Sequence, residues 1–221
     1  MLQKFRDFFQ KQIFSEIAAD SNMMSRRLKA MVDALGDADH FDEDTDTDYP
    51  VHVYAFARNF VEEGNDAPDD EGYVLVTSGM SDRAMHVPVE AMDEQSPFIE
   101  LIWYVRDLNP EYVHYLRWLA KLPQIDSTWF SSSHRVPMPK PPLSFCAFKT
   151  FMFLTPISRT DDNLLKDIEI GGHVIETLCV HLISEAEYAF VKTDHGFNSF
   201  MDILDNHDYP LIFDPKRKSY L

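Results

Sequence analysis

The spacing of the hydrophobic residues changes near residue 50, and this change limits the fold more than any other feature of the sequence. Before it, apolar side chains recur at helical spacing in two stretches, residues 2–19 and 24–35. After it, they alternate or run continuously over four to eight positions, which is typical of strands. The first 36 residues therefore predict a helical hairpin, with Ser21 or Asn22 capping its second helix and Gly36 ending it.

Short strands and helices then follow one another without a regular period. Strands are predicted at 51–56, 73–76, 98–105, 143–154, 167–170 and 173–180, with a hairpin turn at 171–172. Helices are predicted at 109–122, at 184–194 with Gly196 as its end, and at 197–206. Because no repeating β-α-β unit is present, the sequence predicts an α+β fold. Its sheet is expected to be mixed and mostly antiparallel, with packed helices and the N-terminal helical hairpin.

The negative charge of the chain is concentrated in one region. The formal net charge is −17, and residues 37–71 hold 13 acidic residues and one basic residue, a net of −12. The densest part, residues 37–48, has seven acidic residues and predicts a loop, so that 1–36, 37–50 and 51–221 are three parts of one structural unit. Because such a chain repels phosphates, we expect no nucleic-acid partner.

The first acidic run has part of a calcium-binding pattern. Asp42, Asp44 and Asp46 fit positions 1, 3 and 5 of an EF-hand loop, but Thr47 and Val53 stand where the loop needs Gly and Glu. The EF-hand match therefore fails. A solvated loop, weak divalent-cation binding and docking to a basic partner remain open.

Cysteine content and apolar runs indicate the compartment. The two cysteines, Cys146 and Cys179, lie in apolar stretches and are predicted to be buried thiols, with a redox pair or a nucleophile as the alternative. The first residues do not resemble a signal peptide, and no apolar run approaches the roughly 20 residues of a membrane helix. We therefore expect a cytoplasmic protein that does not bind membranes.

The common catalytic motifs are missing from the sequence. Its seven glycines form no G-x-G pattern, and there is neither an H-E-x-x-H segment nor a pair of cysteines at metal spacing. The segment 79–83 starts like a nucleophile elbow but lacks the second glycine. The sequence thus predicts no catalytic residue, no metal ligand and no cofactor.

The segment 73–82, Y-V-L-V-T-S-G-M-S-D, resembles a motif of the suppressor of fused family, in which a strand ends in a T-x-G-[ML]-S-D turn. An acidic residue in the next strand completes that motif, and Glu100 takes its place. Further matches follow in order across residues 51–205, at 116–120, 122–129, His134, 153–157 and 183–196. Two departures stand out, since Ser133 replaces the glycine expected before His134 and Arg135 replaces a threonine.

The resemblance implies an α+β domain over 51–221 and a protein-binding role. The animal member of the family holds a transcription factor of the Hedgehog pathway in an inactive complex, and compact bacterial members are proposed to be immunity proteins that neutralise toxins. This chain is similar to the bacterial type. The resemblance therefore implies a non-enzymatic immunity protein that occludes a toxin.

Candidate binding residues come from the motif and from the acidic run. Gly79 is expected to supply a positive φ, whereas Trp129 is a candidate for either a partner anchor or a core residue. His134 and Arg135 lie in a Ser-rich loop that ends in Pro137. The full candidate set is Gly79, Met80, Ser81, Asp82, Glu100, Trp129, His134, Arg135, Asp42, Glu43, Asp44 and Asp46.

Two classes of function remain open. In the first, a binding protein covers its partner, for which a basic toxin attracted by the acidic runs is the candidate. An exposed sheet edge would favour capture of a peptide as an added strand. In the second, an enzyme or metal-dependent protein uses a composite site at His134, Asp82 and Glu100. A deep pocket that collects those three groups would favour the second class.

Overall fold

A seven-stranded sheet forms the centre of the protein in the computed structural model, which describes residues 23–60, 70–91, 95–207 and 211–221. Its strands are β1 (His40–Asp42), β2 (His52–Asn59), β3 (Glu71–Ser78), β4 (Ile99–Val105), β5 (Arg135–Pro137), β6 (Thr150–Leu154) and β9 (Glu176–Ile183). A separate hairpin pairs β7 (Glu169–Ile170) with β8 (His173–Val174). Gly171 and Gly172 join its strands with positive φ angles of 60° and 88°, as the predicted turn requires.

The strand order in the sheet is β1-β2-β3-β4-β9-β6-β5. Every neighbouring pair is antiparallel except β4 and β9, which run parallel. The central strand β4 is buried at all seven positions, because helices cover both of its faces. These findings confirm the predicted α+β fold and its mostly antiparallel sheet.

Five helices pack on this sheet within the described residues: α1 (Met23–Leu35), α2 (Pro110–Ile125), α3 (Arg159–Asp162), α4 (Glu185–Val191) and α5 (Gly196–Asn206). The side chain of Asn109 accepts a hydrogen bond from the Glu111 amide and caps α2. The Ser184 and Glu187 side chains form the predicted capping box of α4. Helix α1 ends as predicted, with Gly36 at a φ of 87°.

The sheet has a separate hydrophobic core on each face. Helix α2 covers one face, where Leu116 and Leu119 pack with Trp103 and Phe151. Helix α1 covers the other face of the first strands with Leu28 and Met31. Helices α4 and α5 complete a third cluster at the β6 end, made of Met152, Leu154, Ile183, Val191, Phe200 and Leu204. The sheet faces are thus covered, and its two short outer strands, β1 and β5, form the edges.

Several predictions need correction. Residues 40–42 of the expected acidic loop form the edge strand β1, because His40–Asp42 pair with Val53–Ala55. Strand β6 starts only at Thr150, since residues 143–149 form turns and irregular structure. Gly196 does not close α4 but is the first residue of α5. The first helix of the predicted hairpin and its neighbouring caps lie outside the described residues.

The two cysteines lie on opposite faces of the sheet. Cys146 belongs to the core under α2, and Cys179 belongs to the core under α1. Both are buried free thiols. Burial raises the pKa of each thiol, so both are protonated near neutral pH.

Candidate functional site

The turn after β3 is built around the buried carboxylate of Glu100. Glu100 Oε1 accepts hydrogen bonds from the backbone N–H of Gly79 at 3.0 Å and of Ser81 at 3.1 Å. It also accepts a bond from Ser81 Oγ at 2.7 Å, while Oε2 accepts one from Thr77 Oγ1 at 2.6 Å. Gly79 has a φ of 129°, and a Cβ atom there would lie 2.2 Å from the carbonyl oxygen of Pro50. The motif residues therefore hold the turn itself.

Arg27 of α1 brings a compensating positive charge to this turn. Its Nε donates to Ser78 Oγ at 3.0 Å and lies 3.6 Å from Glu100 Oε1. Its Nη1 donates to Ser81 Oγ at 3.1 Å and to Asp82 Oδ1 at 2.7 Å. The Arg27 and Glu100 side chains are 1% and 0% exposed. A buried charge needs such partners, so this pair fixes α1 to the end of β3.

Sequence reasoning missed Arg27, although the sequence contains a signal for it. Arg27 stands three residues after Met24 and four before Met31, on the apolar stripe of α1. A charged residue on the core-facing side of a helix predicts a buried ionic partner. Of the candidate residues, Gly79, Met80, Ser81 and Glu100 are enclosed here, whereas the Asp82 side chain is 42% exposed.

The acidic run is held against α2 by two basic side chains. The Lys121 ammonium lies 2.6 Å from Asp44 Oδ2 and 2.7 Å from Asp46 Oδ2. Arg117 pairs with the Asp42 carboxylate and also donates to the carbonyl oxygens of Asp42, at 2.9 Å, and Val51, at 2.8 Å. The side chain of Glu43 points into solvent. Three of the four candidate carboxylates in this run are therefore ion-paired within the protein.

The ammonium of Lys121 perturbs both aspartates that it contacts. Burial opposes ionisation of Asp44, but the bonds from Lys121 and from the Val51 and Asp46 amides lower its pKa overall. The Lys121 hydrogen bond and the Asp48 and Tyr49 amides lower the pKa of Asp46 to about 2. A lysine charge thus occupies the place between these carboxylates where an EF-hand loop would hold calcium. No group of three or more potential metal ligands is present among the residues that the structure describes.

Trp129, His134 and Arg135 come together at the other edge of the sheet. They line an open groove of about 690 Å³ beside β5, and the far side of the groove is formed by Tyr188 of α4 and by Lys192, which follows that helix. The Trp129 and His134 rings lie edge to face, with centroids 4.5 Å apart. Arg135 Nη1 donates to the carbonyl oxygen of Val191 at 2.8 Å, which links β5 to α4. We refer to these lining residues as the β5 groove.

The groove runs along backbone groups that the sheet does not use. The His134 carbonyl oxygen accepts from the Phe153 amide, and the Met138 amide donates to the Lys149 carbonyl oxygen. In an antiparallel pair the bonding direction alternates, so the polar backbone groups of Arg135 and the Pro137 carbonyl point away from β6. Proline has no N–H, which limits how far another strand can pair along this edge.

The electrostatics of the β5 groove are mixed. Arg135 and Lys192 contribute positive charge, and Asp126 contributes negative charge. Burial lowers the pKa of His134, so its imidazole is neutral at pH 7. Trp129 supplies a large, partly exposed aromatic surface. The groove therefore offers apolar, polar and backbone contacts to a polypeptide, without an activated nucleophile or acid.

Of the three groups in the alternative composite site, Asp82 and Glu100 meet at Arg27, whereas His134 lies apart from Glu100. Glu100 lies on β4 beside Arg27 of α1, and His134 lies next to β5, on the side of Trp129 and α2. Strands β4 and β5 are separated by β9 and β6, which corresponds to about 14 Å at the usual strand spacing. The groove that contains His134 therefore includes neither Asp82 nor Glu100.

Comparisons with known proteins agree with this architecture. A family model described as suppressor of fused protein matches residues 47–218. No curated protein sequence matches the chain closely enough to be called a relative. No helix in the described part of the chain has the length and apolar character needed to cross a membrane.

Two solved structures share the fold. One is the 1.40 Å crystal structure of a proposed suppressor of fused homologue from Neisseria gonorrhoeae, with a TM-score of 0.63 and 15% identity, covering 90% of this chain and 96% of the other. The second is a chain of the Sufu-Fu complex, with a TM-score of 0.63 and 9% identity, covering 88% of this chain and 89% of the other. At these identities the likeness is one of fold. The match of the family model to most of the sequence, on a fold shared with these structures, shows that the chain belongs to the suppressor of fused family, a family of protein-interaction domains.

Proposed function

We propose that this chain is a non-enzymatic domain that binds a protein partner in the β5 groove and neutralises it by occlusion, as an immunity protein neutralises a toxin. The observation that carries the proposal is the groove itself. It places an aromatic side chain, two basic side chains and unused strand backbone along one exposed edge of the sheet. An extended segment of a partner can pair with Arg135 while its side chains contact Trp129 and Tyr188.

Membership of the suppressor of fused family supports a protein-binding function. A structural relative was crystallised in the Sufu-Fu complex, so at least one protein of this fold assembles with another protein. The groove has the usual composition of a binding surface, with an aromatic residue and an arginine beside apolar contacts. We propose that the partner is a toxin.

The charge of the chain favours a basic partner. The net charge of −17 attracts a cationic protein over distances near the Debye length and speeds association at low salt. Asp42, Asp44 and Asp46 contribute less than their number suggests, because Arg117 and Lys121 pair with them. Glu43 and Asp48 are exposed and are better candidates for steering.

An affinity experiment with matched variants tests the proposal. The tagged chain is incubated at low salt with an extract of its native cells, and the bound proteins are identified by mass spectrometry. We expect one stoichiometric basic protein, which Trp129→Ala and Tyr188→Ala lose and which the control Lys29→Ala retains. Lys29 is exposed on α1, so its truncation removes a side chain without touching the groove.

Two outcomes would contradict the proposal. One is a partner that all three variants retain equally, since binding would then use a different surface. The other is the recovery of no stoichiometric partner while circular dichroism shows the chain to be folded.

A growth test completes the experiment, because the captured protein should be toxic to cells that lack this chain and harmless in cells that produce it.

The enzyme alternative receives no support from the geometry. Asp82 and Glu100 both face Arg27, whereas His134 lies in the β5 groove, and Glu100 is fully enclosed by the turn that it stabilises. We therefore propose a protein-binding function rather than catalysis at these three residues.

A further inference from the structure

A second concave site lies where β4 and β9 part. The two strands pair over only four positions, Ile99–Ile102 with Glu176–Cys179. Beyond them Phe213 takes the place beside β4, because its amide donates to the Tyr104 carbonyl oxygen at 2.9 Å and it bridges to Val105. The end of β9 is thus separated from β4 by residues 211–221, which we call the C-terminal segment, and a cleft remains between this segment, β9 and α5.

The cleft has a volume of about 180 Å³. Its apolar wall comes from strands β6 and β9, from α5 and from the C-terminal segment, and is formed by Met152, Ile183, Phe200, Leu204, Ile212 and Phe213. A cavity of about 150 Å³ lined by such side chains binds benzene. The volume here therefore suits one six-membered ring with a small substituent.

The charged groups at the cleft do not favour an ionic ligand. The guanidinium of Arg217 pairs with both carboxylate oxygens of Glu187, at 2.6 and 2.9 Å, and it stacks on Tyr220 with its carbon 4.2 Å from the ring centroid. Its charge is therefore compensated within the protein. The exposed carboxylate of Asp214 lies at the same cleft and repels an anion.

His181 supplies a polar group to this otherwise apolar wall. It lies on β9, and it is one of the residues that line the cleft. Burial and the nearby Arg217 lower its pKa to about 4, so the ring is uncharged at pH 7. A neutral imidazole can exchange a hydrogen bond with a hydroxyl or an N–H group.

We propose that this cleft binds an uncharged molecule with one aromatic ring and one hydrogen-bonding group, for which phenol is the simplest probe. The ring would contact Phe200 and Phe213, and the hydroxyl would reach His181. An apolar pocket with one or two convergent polar groups is the usual form of a small-molecule site. This site shares no lining residue with the β5 groove, so the two proposals stand or fall separately.

A methyl NMR titration with phenol, up to 10 mM, tests the inference. We expect shifts confined to the methyl groups of Met152, Ile183, Leu204 and Ile212, with a dissociation constant on the order of 1 mM for a ligand of this size. Benzene should bind several-fold more weakly, because it lacks the hydroxyl. Benzoate should not bind, because the cleft has no uncompensated positive charge.

Variants that fill the cleft provide the control. Leu204→Phe should weaken phenol binding at least tenfold, and Ile183→Phe serves the same purpose if the first variant does not fold. Leu108→Phe adds the same ring at an exposed position outside the cleft and should leave binding unchanged. The inference is overturned if the wild-type methyl groups do not shift, if shifts scatter over the surface, if a folded cleft-filling variant binds phenol as tightly as wild type, or if benzoate binds better than phenol.

Discussion

At the scale of single residues, the family motif and the candidate binding residues separate into two groups with different roles. Glu100 and the turn at residues 79–82 form a buried polar network that Arg27 completes. Trp129 and Arg135 line the β5 groove, where a partner can reach them. The motif that carries the resemblance therefore stabilises the fold, and the proposed binding surface lies elsewhere.

Removal of Arg27 should destabilise the folded protein, because it leaves the Glu100 carboxylate buried without its cation. We expect Arg27→Met to lower the free energy of unfolding by about 3 kcal/mol, as the breaking of buried ion pairs does. Lys29→Met is the matched control on the same helix, where the exposed pair with Asp33 contributes at most about 0.5 kcal/mol. Urea denaturation followed by fluorescence measures both variants. A cost below 1 kcal/mol for Arg27→Met would contradict the structural role of this pair.

The pairing of Lys121 with the acidic run predicts a dependence of stability on pH. The pKa values of Asp44 and Asp46 are below their usual values in the folded protein, so their contribution is present above about pH 4 and is lost as the pH falls toward 2. Lys121→Met should flatten this acid-induced loss of stability and should raise the pKa of Asp46. Thermal unfolding between pH 2 and 7, with carboxyl NMR shifts, measures both effects. An unchanged acid profile in the variant would show that the ammonium does not set these pKa values.

At the scale of elements, the C-terminal segment attaches α4 to the sheet. Arg217 pairs with the buried Glu187, the Tyr220 amide donates to the same carboxylate at 2.9 Å, and Ser219 Oγ lies 2.8 Å from Ser184 Oγ. Burial opposes ionisation of Glu187, but the bonds from Arg217, Tyr220 and Ser184 lower its pKa overall. Tyr188 lies on α4 and Lys192 follows it, so this segment also fixes one wall of the β5 groove.

Arg217→Met should loosen α4 without unfolding the sheet. The change removes the cation beside Glu187, so we expect the free energy of local opening of α4 to fall by about 3 kcal/mol, which appears as faster amide exchange in residues 185–191. Strand β3, which lies three positions from β6 in the sheet order, should exchange as in wild type. Hydrogen-exchange mass spectrometry at pH 7 compares the two regions. Equal acceleration in β3 and α4 would mean that the segment stabilises the whole domain rather than this helix.

The sequence predicted elements best where local chemistry determines them. The capping box at Ser184, the Gly171-Gly172 turn and the cap at Asn109 all formed as expected. The edge strand β1 was missed, because His40–Asp42 is short and acidic and becomes a strand only by pairing with β2. Gly196 was assigned to the wrong helix, because a glycine can follow one helix or begin the next.

At the scale of the whole molecule, the fold class was predictable but the site was only partly so. Strand and helix patterns predict the α+β class, and the resemblance predicts the family. The parallel pairing of β4 and β9, and the distance between Glu100 and His134, depend on which strands become neighbours. No local pattern contains that information, since it arises from packing between residues that are far apart in the sequence.

In the described part of the chain both sheet faces are covered and the β5 edge is concave, and our central claim is that this edge captures a protein. The most direct measurement is the amide exchange of the chain alone and with the basic partner that it recovers from its native cells. We predict slower exchange at residues 129–137 and 185–192 in the complex, with no change in α1, and loss of this protection in the Trp129→Ala variant. Protection confined to residues away from the β5 groove, or equal protection in the variant, would contradict the claim.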